Sequence, residues 1–351
     1  MYTNKTTKRV NVGSVPVGNG ARVSIQSMLA VPAHDVEGNI KAAKKLQSAG
    51  CEILRVSVPD SEAIKTLEKI KENVDIPIVA DIHFDWRLAV MSAEAGADKI
   101  RINPGNIGDE SGVANVVKTC KLKNIPIRIG VNSGSLEKGI LARFGGVTSE
   151  ALVESGLYHI ALLEKYDFDD IVLSLKSSDV KTMYDAYVLA AQRIKYPLHL
   201  GVTEAGTEST GVIKSAAGIG GLLLRGIGDT IRISLTDDPV KEVAAAKKLL
   251  SALGIRREGI RFVSCPTCGR TEIDLIGIAN KAEEKLSGIN KDITVAIMGC
   301  VVNGPGEATA ADIGIAGGKK SGVLFKKGKI VESGIPEDKL LYRLISEIEK
   351  M

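Results

Sequence analysis

Aromatic residues are scarce in this 351-residue chain, at 4%, and tryptophan occurs once. The charge excess is also small, a net +4 from 46 Lys and Arg against 42 Asp and Glu. Such a chain has neither the stacking platforms that hold single-stranded nucleic acid nor the basic field that holds a duplex, so nucleic acid is not an expected partner. Apolar runs long enough to cross a bilayer are missing, and the opening M-Y-T-N-K-T-T-K-R-V-N-V-G has no apolar leader core. A cytoplasmic protein with no membrane partner is expected. Cysteine is rare and odd in number, five in all, which argues against a disulfide framework. Metal binding or catalysis is then the reading for the one close pair, Cys265 and Cys268 in S-C-P-T-C-G-R. Neither G-x-G-x-x-G nor a P-loop occurs, so no nucleotide cofactor is indicated.

Repetition is what the chain does have. From about residue 23 to 252, a short β-branched run, a polar or glycine-containing loop and an amphipathic Ala/Lys/Glu/Leu segment recur. The runs start near residues 23, 52, 77, 98, 126, 171, 197 and 230, and Pro77, Pro126 and Pro197 open three of them, where a missing N–H costs no ladder bond. Segments such as N-I-K-A-A-K-K-L-Q-S-A-G (39 to 50) space apolar residues as an outer helix does and stop at glycine. Eight such cycles predict a TIM (β/α)8 barrel over 1–255, with an open doubly wound sheet as the competing α/β arrangement. Beyond it, strand, helix, strand, Gly-rich loop, Lys-flanked hairpin and final helix predict a smaller α/β domain over 256–351.

In a strand, residues two apart share a face, and parallel barrels gather their chemistry at the strand C-terminal ends. This parity turns Arg55 with Ser57, Asp81 with His83, Arg101 with Asn103, Arg128 with Asn132, Ser174 with Lys176, His199 with Thr203, and Arg232 with Ser234 inward. Arg55, Arg101, Arg128, Lys176 and Arg232 then bring five cations into one mouth, against Asp81 and Glu204 as the nearby acids. Cations buried without partners are costly, so an anionic ligand is the expected counter-charge, and forked guanidinium groups suit phosphate. Single buried arginines in barrels are often merely structural; it is the set that points to a ligand. The run G-I-G-G-L-L-L-R-G-I-G-D (218 to 229) reads either as a phosphate-holding backbone or as helix packing and a turn. Glu204, just past the seventh strand, is placed for proton transfer or for pairing with an arginine.

Cys265, Cys268 and Cys300 all fall in the second domain. A structural zinc would want another Cys or His, but all four histidines, Cys51 and Cys120 lie in the barrel half. A 4Fe-4S cluster needs only three thiolates plus an oxygen ligand or an open site, and the donor set suits it better than zinc. Glu307, in G-C-V-V-N-G-P-G-E after Cys300, offers that oxygen, although an exposed glutamate is ordinarily a solvated carboxylate. Cys51 and Cys120 read as buried thiols.

With S-I-Q-S-M, R-I-N-P-G-N-I-G, R-I-G-V-N-S-G-S-L, G-V-T-E-A-G, S-C-P-T-C-G-R and A-I-M-G-C-V-V-N-G-P-G-E, the chain resembles the hydroxymethylbutenyl diphosphate synthases, the IspG or GcpE family of the methylerythritol phosphate route to isoprenoids. The resemblance implies reductive ring opening of methylerythritol cyclodiphosphate, with a 4Fe-4S cluster held by Cys265, Cys268, Cys300 and Glu307. It implies substrate binding by Arg55, Arg101, Asn103, Arg128, Asn132, Lys176, Thr203, Arg232 and Ser234, and catalysis by Glu204. The matched motifs run from residue 24 to 307, and the chain lacks the large insertion of plant-type members.

Chain geometry adds one expectation. The eighth strand runs toward the mouth and the helix at 238 to 252 runs back, so the chain leaves on the opposite face. About a dozen residues, at most roughly 40 Å of chain, then lead to Cys265. A head-to-tail homodimer, in which the cluster serves a partner's mouth, is therefore expected and is also implied by the resemblance. The lysines of G-G-K-K-S-G-V-L-F-K-K-G-K (317 to 329) offer either a dock for an acidic ferredoxin or flavodoxin, the expected electron donor, or a solvated edge guarded by charge. Two rivals stay open: a barrel transferase of the pterin or methyl-transfer type with a zinc-stabilised appendage, and a non-catalytic anion-binding module.

Overall fold

The structure is a computed structural model that describes residues 7 to 351 apart from 104, 105, 109, 258, 287, 288, 290, 302 to 305, 307 and 320. The chain divides into two compact units, Met1–Ile255 and Arg256–Met351. No described helix is long and apolar enough to cross a membrane.

The first unit opens with a hairpin, β1 (Val10–Val12) and β2 (Val15–Val17), which the sequence pattern does not announce because each strand has only three residues. Eight parallel strands follow: β3 (Ser24–Met28), β4 (Ile53–Ser57), β5 (Ile78–Asp81), β6 (Lys99–Ile102), β7 (Ile127–Asn132), β8 (Ile171–Lys176), β9 (His199–Leu200) and β10 (Thr230–Ile231). They pair in the order β8-β7-β6-β5-β4-β3-β10-β9, and a parallel bridge between Leu173 and Leu198 joins the two ends. The sheet is thus the expected closed TIM barrel and not an open doubly wound sheet. The three prolines serve at the strand entries: the carbonyls of Pro77, Pro126 and Pro197 accept from Leu54, Ile100 and Leu173 at 2.9, 3.1 and 2.9 Å. Each closes a rung where a proline needs no N–H of its own.

Amphipathic helices coat the barrel. Val36–Ala49 starts where the Asp35 side chain accepts from Gly38 N and stops at Gly50, whose φ of 94° a side chain would resist. Val12 and Val17 of the hairpin pack with Ile53 and Val79 and plug the barrel floor with an apolar layer. The Gly-rich run is helix packing, not a phosphate cradle. Ala216–Gly220 continues the helix Glu208–Ser215 as a π turn, and Gly226 and Gly228 then bend the chain into the N-terminal end of β10, away from the mouth. A β-carbon at Gly218 would overlap Met183, and one at Gly228 would overlap Leu200.

The second unit is a five-stranded sheet in the order β11 (Arg261–Ser264), β12 (Thr294–Met298), β13 (Ile313–Ala316), β14 (Ser321–Lys326) and β15 (Lys329–Pro336), with helices Leu275–Leu286 and Glu337–Glu349. β11, β12 and β13 run parallel, and β14 and β15 complete the sheet as an antiparallel hairpin. β13 falls where the sequence reads as a Gly-rich loop, because its four residues, I-G-I-A, are too few to show alternation. The lysine run does not form one surface. Lys319 lies in the turn after β13, whereas Lys326, Lys327 and Lys329 sit at the far end of β14, about 17 Å along the strand. Lys326 is also engaged, 2.9 Å from Glu347 Oε2. Lys320 is outside the described residues.

Candidate active site

Parity along the barrel strands assembles the mouth. Eight of the nine residues expected to bind substrate, Asn103 excepted, line one cavity of about 170 Å³, together with His83, Gly130 and Ser174. Asn103 is buried off that wall, and its Oδ1 has no hydrogen-bond partner among the described residues.

Two carboxylates organise the cations. Asp81, 1% exposed, accepts from Arg55 Nη2 at 2.6 Å and Arg101 Nη1 at 3.1 Å, and lies 3.2 Å from His83 Nε2. Burial works to raise its pKa, but the Arg55 charge, the His83 contact and the Arg101 charge prevail and hold the carboxyl well below its ordinary range. Glu242, on the helix Pro239–Ala252, clamps Arg232 through Nε at 3.1 Å and Nη2 at 3.0 Å, and also accepts from Ser27 Oγ and Leu235 N. Arg128 and Lys176 have no such partner among the described residues. Arg128 is 1% exposed, and its Nε and Nη1 are buried without an acceptor among the described residues. Burial, then the charges of Arg55 and Arg101, push Arg128 well down from its ordinary value, yet from so high a start that a guanidinium stays charged. Burial and the neighbouring Arg128 and Arg232 push Lys176 well down as well. Five cations against two carboxylates leave a cup that favours a compact polyanion.

In the second unit, β11 and β12 pair in parallel with Ser264 opposite Ile297, so Cys265 and Cys300 both follow the same ends of adjacent strands. Cys265 Sγ accepts from Gly299 N at 3.1 Å, and Glu272 N donates to the Gly299 carbonyl, drawing the C-P-T-C loop against that strand end. A backbone hydrogen bond from Arg270 lowers the thiol pKa of exposed Cys268. All three thiols are free. Among the described residues no three Cys, His, Asp or Glu side chains already converge as a metal nest; Glu307 is outside those residues. Cys51 and Cys120 are inert by contrast, as burial pushes each thiol up to about 12.

The sequence matches two family models, the GcpE TIM-barrel domain over residues 7–247 and the GcpE protein C-terminal domain over 261–350. The chain belongs to the GcpE family. Among proteins similar to this GcpE chain is the 4-hydroxy-3-methylbut-2-en-1-yl diphosphate synthase (flavodoxin) of Clostridium perfringens, 57% identical over 345 residues, which are 98% of this chain and 99% of the relative. The protein of the same name from Caldanaerobacter subterraneus subsp. tengcongensis is 55% identical over 347 residues, 99% of this chain and 98% of the relative. Solved structures share the barrel fold alone. A Yersinia pestis dihydropteroate synthase matches with a TM-score of 0.51 at 14% identity, covering 70% of this chain and 98% of that one. A type I 3-dehydroquinate dehydratase of Clostridium difficile matches with 0.52 at 15%, covering 72% and 98%.

Three residues of the GcpE mouth escape a reading of charged side chains. Gly130 lies between Arg128 and Asn132 on the inward face, and a β-carbon there would overlap the Arg101 guanidinium, which donates to the Gly130 carbonyl at 3.1 Å. A β-carbon at Gly201 would come within 2.9 Å of Lys176 Nζ. Glycine in a strand run is the local signal of such close approach; Gly130 lies inside β7, and Gly201 directly follows β9. Glu242 is signalled only by a carboxylate standing among the apolar residues of the closing helix. Glu204 follows Thr203 but is exposed, off the cavity wall, with a left-handed φ of 52° that side chains other than glycine seldom adopt.

Proposed function

We propose that this chain opens 2-C-methyl-D-erythritol 2,4-cyclodiphosphate reductively to 4-hydroxy-3-methylbut-2-enyl diphosphate, with a resident 4Fe-4S cluster and electrons from reduced flavodoxin or ferredoxin. The observation that carries this reading is the buried cationic cup of a GcpE-family barrel, where Arg128 and Lys176 form no ion pair with an acid among the described residues. The names of its relatives, diphosphate synthases with flavodoxin as the stated donor, support the product and the donor class.

The donors in the second unit fit the cluster. They are three free thiols at one end of a sheet, one of them acidified, with every histidine of the chain in the other unit. Cys265, Cys268 and Cys300 would hold it, and Glu307 is assigned as the exchangeable oxygen ligand on the family resemblance. When bound, the cluster supplies electrons one at a time. The barrel does the rest. Arg128, Lys176 and the outward faces of Arg55 and Arg101 grip phosphate oxygens, Asn132, Thr203 and Ser234 donate or accept at the sugar hydroxyls, and Asp81 and Glu242 hold the guanidinium forks in place against their mutual repulsion. Asn103 adds a buried amide above this set. Glu204, exposed directly after Thr203, is assigned on the family resemblance to deliver the proton to the departing hydroxyl. A Glu204→Gln variant should bind the cyclodiphosphate normally and lose at least about 100-fold in turnover, the usual worth of a general acid. Full turnover would remove Glu204 from the mechanism.

The barrel unit ends at its floor. Lys247 Nζ, near the end of the closing helix, donates to the Ala49 carbonyl beside the entry to β4 at 2.6 Å. A head-to-tail homodimer, with the cluster of one copy serving the mouth of the other, satisfies this exit. Mixing a Cys265→Ser chain with an Arg128→Met chain should regenerate activity through hybrid dimers; a mixture as dead as its parents would count against that assembly. The reaction itself is tested by anaerobic reconstitution and turnover of the cyclodiphosphate with a chemical reductant. Iron- and sulfide-replete protein that binds this substrate yet forms no diphosphate alcohol would overturn the proposed function.

A further inference from the structure

Beneath the cup lies a layer of polar side chains that the proposed reaction leaves unused. Lys99 opens β6 and His199 opens β9, two residues below Arg101 and Gly201 on the same inward face. Both are wholly buried, and neither Lys99 Nζ nor either ring nitrogen of His199 has a hydrogen-bond partner among the described residues. The charged groups acting most strongly on them are cationic: Arg128 and Arg55 on Lys99, and Arg128, Lys176, Lys99 and Arg55 on His199.

The surrounding acids are committed elsewhere. Asp81 is held by Arg55, Arg101 and His83, and Glu242 by Arg232. Asp229, beside β10, accepts from Leu198 N and the Thr7 hydroxyl. Tyr187 Oη reaches His199 only at its main-chain carbonyl, at 2.5 Å. Below, the valines of the hairpin close the floor with Ile53 and Val79. Burial first, then these like charges, push both bases well down from their ordinary values, so the cup disfavours the protonated form of each.

We propose that Lys99 and His199 are a proton-accepting floor to the anion site, taking up protons from solvent when a polyanion fills the cup above them. The negative charge opposes the field that disfavours protonation of the two bases, and by linkage their protonation in turn tightens the anion. No covalent bond changes. The inference rests on the anion-binding reading of the cup and extends it to turnover. A cyclic diphosphate has two ionisable oxygens and a ring-opened diphosphate has three, so the charge to be balanced grows as the reaction proceeds. Lys99 and His199 act through the field and not by contact, as positioning residues.

The test is calorimetric titration of the full-length protein, without reductant, in buffers of differing ionisation enthalpy near neutral pH. The probes are trimetaphosphate, whose acid groups are all strong and exchange no protons there, and the cyclodiphosphate itself. Wild type should show buffer-dependent heat from uptake of about one proton or more, with affinity falling up to about tenfold per pH unit for each proton linked. Ring-labelled histidine NMR, with His199 assigned through His199→Gln, should show an imidazole becoming imidazolium as trimetaphosphate is added. Lys99→Met combined with His199→Gln should still bind through Arg128 and Lys176, with at most half the proton uptake and a flatter pH profile.

Anion binding with identical heat in every buffer and an unchanged His199 ring would overturn the proposal, as would full proton uptake in the double variant, which would assign it to Lys176. Proton-linked trimetaphosphate binding without turnover of the cyclodiphosphate by cluster-replete protein would sink the proposed reaction while leaving the floor intact. Failure of both anions to bind at low salt would remove both.

Discussion

Asp81→Asn is expected to destabilise the barrel by about 3 to 5 kcal/mol at neutral pH, as removing one member of a buried ion network does. The carboxylate is the shared counter-charge of Arg55 and Arg101, and asparagine leaves both guanidinium groups buried and unbalanced. The pH dependence has a definite sign. Asp81 has a folded-state pKa depressed below its unfolded value, so its contribution is fully present above about pH 4, the unfolded range, and is lost as pH falls through the folded value. Thermal unfolding measured from neutral pH downward should show wild type well above Asp81→Asn, with the two curves converging in acid. Equal midpoints at neutral pH would mean that Asp81 does not hold the arginines.

Arg128→Met is expected to behave in the opposite way. Arg128 is buried with no hydrogen-bonded acid partner among the described residues, so its charge opposes folding, and an apolar chain of similar length should leave the melting temperature unchanged or raise it. Activity should collapse. Two charge-assisted hydrogen bonds to a phosphate are together worth about 4 kcal/mol, which is about a thousandfold in kcat/KM. A gain in stability with a loss of function at one position is the mark of a residue retained for its ligand. A destabilised Arg128→Met protein that still turns over normally would show the arginine to be structural and would empty the cup of its best phosphate donor.

The contrast between these two neighbours bears on how much of the site is legible from residue order. Arg55, Asp81, Arg101, Arg128 and Lys176 are all placed on the inward face by alternation, because a period of two is a property of the strand itself. Proline at three strand entries, aspartate at helix starts and glycine at helix stops are legible for the same reason. The hairpin Val10–Val17 and the strand Ile313–Ala316 are too short to show any period and emerge only when their partners are in place. The Gly-rich run after residue 217 resembles a phosphate loop in composition, yet its glycines answer to Met183 and Leu200 across a packing interface. Lys319 is parted from Lys326, Lys327 and Lys329, close to it in sequence, by the length of one strand.

Residue order by itself determined the barrel, the inward set of cations and the family of three late cysteines with their neighbouring motifs, because periodicity, spacing and motif are carried locally along the chain. Only the tertiary structure decided which arginines are neutralised and which are left for a ligand. That choice depends on Asp81 standing between two neighbouring strands and on Glu242 reaching in from the last helix, and Coulomb's law acts through space and not along the sequence.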